Sequence, residues 1–302
     1  MNDKHRKYGF TMIELLTVVA IIAMLVGLLI PALNMVRNAA KQAKQRAQLT
    51  TIDSALMVWR NDQGDYPPSD LNQDRKYCGA QKLAEALLGW DLLGFHPNSA
   101  WRADGLDQNG GDLTYDPFKR RNLGFDSLRE RKQPYLELGT TSAFRLGTDG
   151  TTPGLFSNPL PLEPKTYVIC DIFGIRRISL GKGNTVTAGS PILYYRANTS
   201  SKTMDLSLDP SMVNQIYNAY DNLFLLALGK LTPDGKPSND PVGHPLYGGG
   251  TGEYLYDPEY KIIDPKVLSA SGRLWPHRPD SYILISAGLD GEYGTRDDIF
   301  NF

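Results

Sequence analysis

Between Leu15 and Val36 the chain carries twenty-two residues without a charge, drawn mostly from Leu, Ile, Val, Ala and Met. As a helix this run is roughly 33 Å long, enough to cross a hydrocarbon core of about 30 Å. The opening MNDKHRKYG sets Lys4, Arg6 and Lys7 against Asp3, so it is short, polar and net positive. Basic residues ahead of an apolar span hold that end in the cytoplasm and send the rest outward. A cleaved secretory signal has an apolar region of about 7–15 residues followed by a small-residue cleavage site. This run is longer and leads into NMVRNAAKQAKQRAQ, a strongly helical sequence with no A-x-A. A plain membrane anchor fits the length but leaves Glu14, at the edge of the run, without a purpose. A carboxylate near membrane depth costs about 2.5 kcal/mol or more unless it is paired.

The composition of the 302 residues as a whole is that of a folded chain. Hydrophobic residues make up 41% and charged residues 22%, which excludes a largely disordered protein. Thirty-two Lys and Arg against thirty-three Asp and Glu leave a net charge of −1, without the basic excess that a nucleic-acid binder needs. Twenty-nine glycines and twenty prolines predict a loop-rich body rather than a helical bundle. Cys78 and Cys170 are too few for a disulfide scaffold and too far apart for a CxxC site; one bridge or two buried thiols both fit.

The segment GFTMIELLTVVAIIAMLVGLLIPAL resembles the N-terminus of type IV pilins and type II secretion pseudopilins. Its basic leader, Gly9-Phe10 junction, Glu14 four residues on and long apolar run coincide with the family pattern. The resemblance implies a leader spanning 1–9, cleavage between Gly9 and Phe10 by a prepilin peptidase, and N-methylation of Phe10. It also implies that Glu14 neutralises the new amine of Phe10 on a neighbouring subunit, which would remove most of the cost of burying either charge. Pro31 removes a helix hydrogen bond and is expected to kink or loosen the helix. Family filaments melt in this region, which marks Gly27 to Pro31. The likeness covers residues 1–70 and 280–302 clearly and 164–196 in part; it is closest to the major, G-type, pseudopilin.

Phe10 to Asp62 is expected to form one helix of roughly 80 Å. Residues 10–36 would lie in the membrane or filament core, and 37–62 would continue as an amphipathic helix into the head. Ala39, Ala43, Ala47, Ile52, Ala55, Leu56 and Trp59 mark its apolar face, with Lys41, Lys44, Arg46 and Arg60 largely outside it. Gly64 and the Pro67-Pro68 pair stop it. The head, 63–302, is expected to be periplasmic and α+β. It has helices at Gln81–Leu88 and Pro210–Leu228 (Met212, Ile216, Tyr220, Leu223 and Ala227 on one face), and strands at Tyr167–Ile172, Pro191–Arg196 and Tyr282–Ser286. DGLDQNGGD, from Asp104 to Asp112, misses the EF-hand spacing and reads as a solvated turn.

The closing SAGLDGEYGTRDDIFNF sets Asp290, Asp297 and Asp298 among Gly288, Gly291 and Gly294. Hard oxygen ligands on a glycine-bent backbone suit Ca²⁺, and an exposed acidic hairpin fits as well; zinc would need His or Cys. Major pseudopilins end in a similar loop, 286–299 here, that holds a structural calcium. The resemblance implies Asp290 and Asp298 as carboxylate ligands, Asp297 as the alternative to Asp298, and the carbonyls of Ala287 and Glu292 as further ligands.

P-loop, HExxH and GxSxG motifs are absent from the sequence. His5 falls in the leader, and His96, His244 and His277 read as surface residues of Pro-rich loops. The sequence therefore points to a non-enzymatic filament subunit. Its partners would be further copies of itself, other pseudopilins, the prepilin peptidase, the inner membrane and its assembly platform. A cell-surface type IV pilin is the near alternative; a membrane-anchored periplasmic enzyme or binding domain is a more distant one, because a monomeric anchor has no use for Glu14.

Overall fold

The computed structural model describes residues 11–71, 76–111, 113–116, 127–139, 141–150, 152–159, 161–181, 184–201, 215–229, 255–262 and 273–302. The chain divides into two compact units, Met1–Ala43 and Lys44–Phe302. Helix α1 (Met12–Gln63) begins in the first. Every large apolar side chain from Met12 to Val36 is exposed. Among the described residues α1 is the one helix long and apolar enough to cross a membrane. The helix passes through Pro31 without interruption in the single chain. A proline forfeits one donor, and the neighbouring turns retain theirs.

Within the second unit α1 buries Gln45, Leu49, Ile52, Ala55, Leu56 and Trp59, a face recurring every three or four residues. The expected stripe is corrected at its start, because Ala39, Ala43 and Ala47 are exposed. Alanine has little apolar area to bury, so the larger Leu49, Ile52, Leu56 and Trp59 set the register. The helix stops at Gly64, which adopts a φ of +90° that costs a glycine nothing.

The head then runs through α2 (Gly79–Leu88), α3 (Ser127–Glu130), β1 (Ala143–Arg145), β2 (Tyr167–Ile169), β3 (Arg176–Gly181), β4 (Asn184–Ala188) and β5 (Leu193–Arg196). A 3₁₀ turn at Ala219–Asn222 leads into α4 (Leu223–Gly229), followed by β6 (Tyr256–Ile262), β7 (Arg273–Pro276), β8 (Tyr282–Ser286) and β9 (Ile299–Phe300). Among the described residues all strand pairs are antiparallel: β1 with β2, β3 with β4, β6 with β7, and a central sheet in the order β5-β8-β9. The class is α+β, as expected. The expected strand at 167–172 is shorter, since Cys170 leaves β2 and makes only an isolated bridge to Pro191. The expected helix at 210–228 is also corrected. Residues 210–214, Met212 among them, lie outside the described residues, and among the described ones that follow helical structure starts at Ala219. There the Asn218 side chain accepts the Tyr220 amide at 2.9 Å and caps the turn.

Alternation along β5 and β8 creates two core clusters. Leu193, Tyr195, Ile283 and Ile285 join one, with Leu225, Leu226 and Tyr217. Tyr194, Tyr282 and Leu284 join the other, with Leu49, Ile52, Leu56 and Trp59 of α1 and with Leu83 and Leu87 of α2. All five residues of β8 are buried, so this strand reads as a continuous apolar run. Cys78 and Cys170 are free, buried thiols. Burial pushes the Cys78 thiol up to about 12 and the Cys170 thiol well above its ordinary range.

Leu284→Ala is expected to destabilise the head by about 2–5 kcal/mol, because it opens a cavity between β8 and α1. Leu93→Ala, in an exposed loop, should change stability by less than about 0.5 kcal/mol. Thermal unfolding of the full chain in detergent, followed by near-ultraviolet circular dichroism, checks this; equal Tm values for the two variants would refute the placement of Leu284.

Candidate functional site

Gly9 and Phe10 lie outside the described residues. Thr11 and Glu14 form the start of α1. The Thr11 amide and hydroxyl donate to Glu14 Oε2 at 2.8 and 2.7 Å, and the Glu14 amide donates back to the Thr11 hydroxyl at 3.3 Å. This reciprocal pair is a capping box, and its signature, Thr-x-x-Glu, stands in the sequence at Thr11–Glu14. Glu14 therefore has a local role in starting the helix, which the family resemblance alone does not bring out. Pro31 lies in the same helix, remote in sequence from this cap.

The C-terminal acidic loop is built by three glycines in left-handed backbone: Gly288, Gly291 and Gly294, with φ of 68°, 76° and 87°. At Gly288 a Cβ would come within 2.3 Å of the Asp297 carbonyl oxygen. That close approach lets Asp297 reach back across the loop. Its Oδ2 accepts the amides of Leu289 and Asp290, and its Oδ1 accepts the Thr295 hydroxyl at 2.6 Å. Burial opposes its charge, but the Thr295 hydroxyl and the Asp290 and Leu289 amides prevail and hold its carboxyl below the usual range. Asp290 Oδ1 accepts the Glu292 amide at 2.9 Å, and its side chain faces solvent.

Asp298 differs from both. Its Oδ2 accepts the Gly294 amide at 2.7 Å, and its Oδ1 is buried without a hydrogen-bond partner. Burial, then the nearby charges of Asp297 and Asp290, push its carboxyl up to about 7. Ala287 is fully buried at the start of the loop; Glu292 is exposed, and its carbonyl accepts the Thr295 hydroxyl at 3.3 Å. The loop thus brings Asp290, Asp297 and Asp298 into mutual electrostatic range. Among the described residues no three His, Cys, Asp or Glu side chains converge as a side-chain metal cage. A cation here would have to draw on main-chain oxygens as well. The orphaned Asp298 oxygen and the all-oxygen donor set fit a hard cation such as calcium.

Buried ionisable groups elsewhere escaped the sequence analysis. Every residue of α2 is buried, including Lys82 and Glu85. Glu85 accepts hydroxyl hydrogen bonds from Tyr77, Ser99 and Tyr115, the last at 2.7 Å, and burial raises its pKa. His96, expected at the surface, is buried instead, edge-on to Tyr115 and 3.4 Å from Glu130. The reason is the same: the loop after α2 folds over Glu85. His277 is half-buried and stacks on Phe302 at 4.0 Å, and His244 lies outside the described residues. In the Asp104–Asp112 segment the Asp107 carboxylate accepts the Asn109 and Gly111 amides at 3.0 Å, a local turn.

Residues 4–30 match the prokaryotic N-terminal methylation motif. Among curated relatives, the type II secretion system core protein G of Aeromonas hydrophila is 30% identical over 72 residues, 24% of this chain and 50% of that one. The chain thus spans about half the length of this relative. No solved structure matches significantly. The methylation motif on a membrane-length apolar helix and the likeness to a secretion core protein support a protein similar to the type IV pilins and pseudopilins.

Proposed function

We propose that this chain is a non-enzymatic structural subunit of a secretion pseudopilus. It would be held in the bacterial inner membrane with its head in the periplasm, cut between Gly9 and Phe10 by a prepilin peptidase and N-methylated on Phe10. It would then polymerise with copies of itself and with other pseudopilins on an inner-membrane platform. The observation that carries this reading is the methylation motif at 4–30 running into an apolar helix whose large side chains are all exposed from Met12 to Val36. Such a surface is stable only in lipid or against other helices. Transfer from bilayer to filament keeps it dry throughout.

In that setting Glu14 would meet the amine of a neighbouring Phe10. Two opposite charges brought together in an apolar core offset much of each other's desolvation, whereas either one alone is costly. Glu14 also caps its own helix, so the two roles must be separated. Glu14→Gln keeps the capping-box geometry and removes the charge. Membrane insertion is expected to be normal in this variant and filament yield to fall by at least about tenfold, the equivalent of roughly 1.4 kcal/mol. Normal filament yield from Glu14→Gln, by electron microscopy of sheared cells, would refute charge pairing.

The terminal loop would hold one Ca²⁺ through Asp290 and Asp298 with the carbonyls of Ala287 and Glu292. Asp297, engaged by two amides and a hydroxyl, would shape the loop. When bound, the ion supplies positive charge that neutralises the carboxylates and cross-links the loop. Chelation should therefore lower the Tm of the full chain by several degrees and restored calcium should recover it. The Asp298→Ala variant should be indifferent to both. A wild-type Tm unaffected by chelator would remove calcium from the account.

A deletion scored in the producing cell separates secretion from a surface pilus. Exoproteins trapped in the periplasm with surface filaments unchanged is the expected outcome; lost surface filaments with normal secretion would make the chain a type IV pilin.

A further inference from the structure

Asp171 is 1% exposed and sits where three segments meet. Its Oδ1 accepts the Phe173 and Ser190 amides at 3.2 and 3.1 Å, and its own amide donates to the Ser190 carbonyl at 2.8 Å. Its Oδ2 accepts the Ser286 hydroxyl at 3.3 Å. Ser286 is the last residue of β8, and its Oγ in turn accepts the Gly288 amide at 3.5 Å, the first turn of the acidic loop. Gly189 packs so tightly on this carboxylate that a Cβ there would lie 2.0 Å from Asp171 Oδ1. Two further ties run in parallel: Ser190 Oγ donates to the Gly291 carbonyl at 3.2 Å, and the Tyr293 hydroxyl donates to the Pro191 carbonyl. From the other side, Gln48 of α1 donates to the Cys170 carbonyl at 2.9 Å, and Gln45 Oε1 accepts the Ile172 amide at 3.0 Å.

We infer that Asp171 is a positioning residue for the acidic loop: through the Ser286 hydroxyl it fixes the Gly288 turn, on which Asp297 packs and from which Asp290 and Asp298 are presented. Asp171 donates no ligand to a cation. It orders the backbone that carries the ligands, so that the ordering cost is met on folding and not on binding. The calcium part of this inference rests on the function proposed above; the ordering of the loop does not.

The test uses the full chain in detergent micelles and two variants, Ser286→Ala and Asp171→Asn. Ser286→Ala removes only the bridging hydroxyl and is the more conservative of the pair. Ser99→Ala, which removes a part-buried serine-to-carboxylate bond at Glu85, is the control. Hydrogen exchange is measured without calcium, and calcium affinity is measured by competition with a chromophoric chelator. Amides of Gly288–Asp298 should exchange about tenfold faster in both variants, the size of one buried hydrogen bond. Amides of β8 and β5 should stay unchanged, calcium affinity should fall by a similar factor, and the control should show neither effect. Loop exchange within twofold of wild type in Ser286→Ala, or equal acceleration across loop and strands, would overturn the inference. A loop that loosens as expected in a chain whose wild type takes up no calcium would sustain the anchor and refute the calcium reading. Calcium binding unchanged beside a loosened loop would refute the positioning role.

Discussion

Burial of β8 on both of its faces is the constraint on which the head depends. A strand covered on one side can alternate apolar and polar residues, but Tyr282–Ser286 has no solvent side. Leu284 and Tyr282 face the apolar stripe of α1, and Ile283 and Ile285 face the cluster that includes α4. Because the side-chain period is two, a slip of one residue would exchange these sets, placing Tyr282 where Ile283 now packs. The cross-strand pairs Leu193 with Ile285 and Tyr195 with Ile283 therefore lock the register of the sheet. Everything downstream, including the acidic loop that leaves β8 at Ser286, inherits its position from that register.

The head also buries polar groups, and it does so by satisfying them locally. Glu85 is surrounded by three hydroxyl donors, and Asp171 by two amides and a hydroxyl. Asp53 of α1 accepts from Tyr282 at 2.8 Å and from Asn301 at 3.0 Å, joining helix, central strand and C-terminus at one carboxylate. Each arrangement costs desolvation and recovers it as hydrogen bonds that only one packing satisfies. Such nodes give an α+β body with many loops a unique arrangement that its short strands could not impose alone. Asp298, like Asp221, differs in keeping one buried oxygen with no such partner.

Legibility of the fold followed the length and periodicity of each signal. The apolar run, the stop at Gly64, the α2 segment and the strand at Tyr282–Ser286 were all readable, since each rests on local pattern or backbone chemistry. Hairpins β3–β4 and β6–β7 were not, because RRISLG and NTVTA alternate polar residues that would suit a loop equally well. In α2, Lys82 and Glu85 are three residues apart and look like a solvated face; Glu85 is buried under Tyr77, just ahead of the helix, and Ser99 and Tyr115 beyond it, while Lys82 reaches Asp70 at 3.2 Å. His96 is buried for the same reason, with Tyr115 and Glu130 packed against it.

At the N-terminus, sequence by itself determined nearly all that matters: a charge-free run has one class of stable environment, and Thr11-x-x-Glu14 is a local cap. At the C-terminus it supplied the glycines and the three aspartates but not their roles. Asp290, Asp297 and Asp298 are the same residue type in the same loop, and composition cannot rank them. Tertiary structure made the distinction, because the folded loop gives Asp297 two amides and a hydroxyl, turns Asp290 to solvent and buries one oxygen of Asp298 unpaired. It also brought Asp171, more than a hundred residues earlier, against Ser286. Covalent spacing sets what is near along the chain; only packing sets which distant donor completes a buried acceptor.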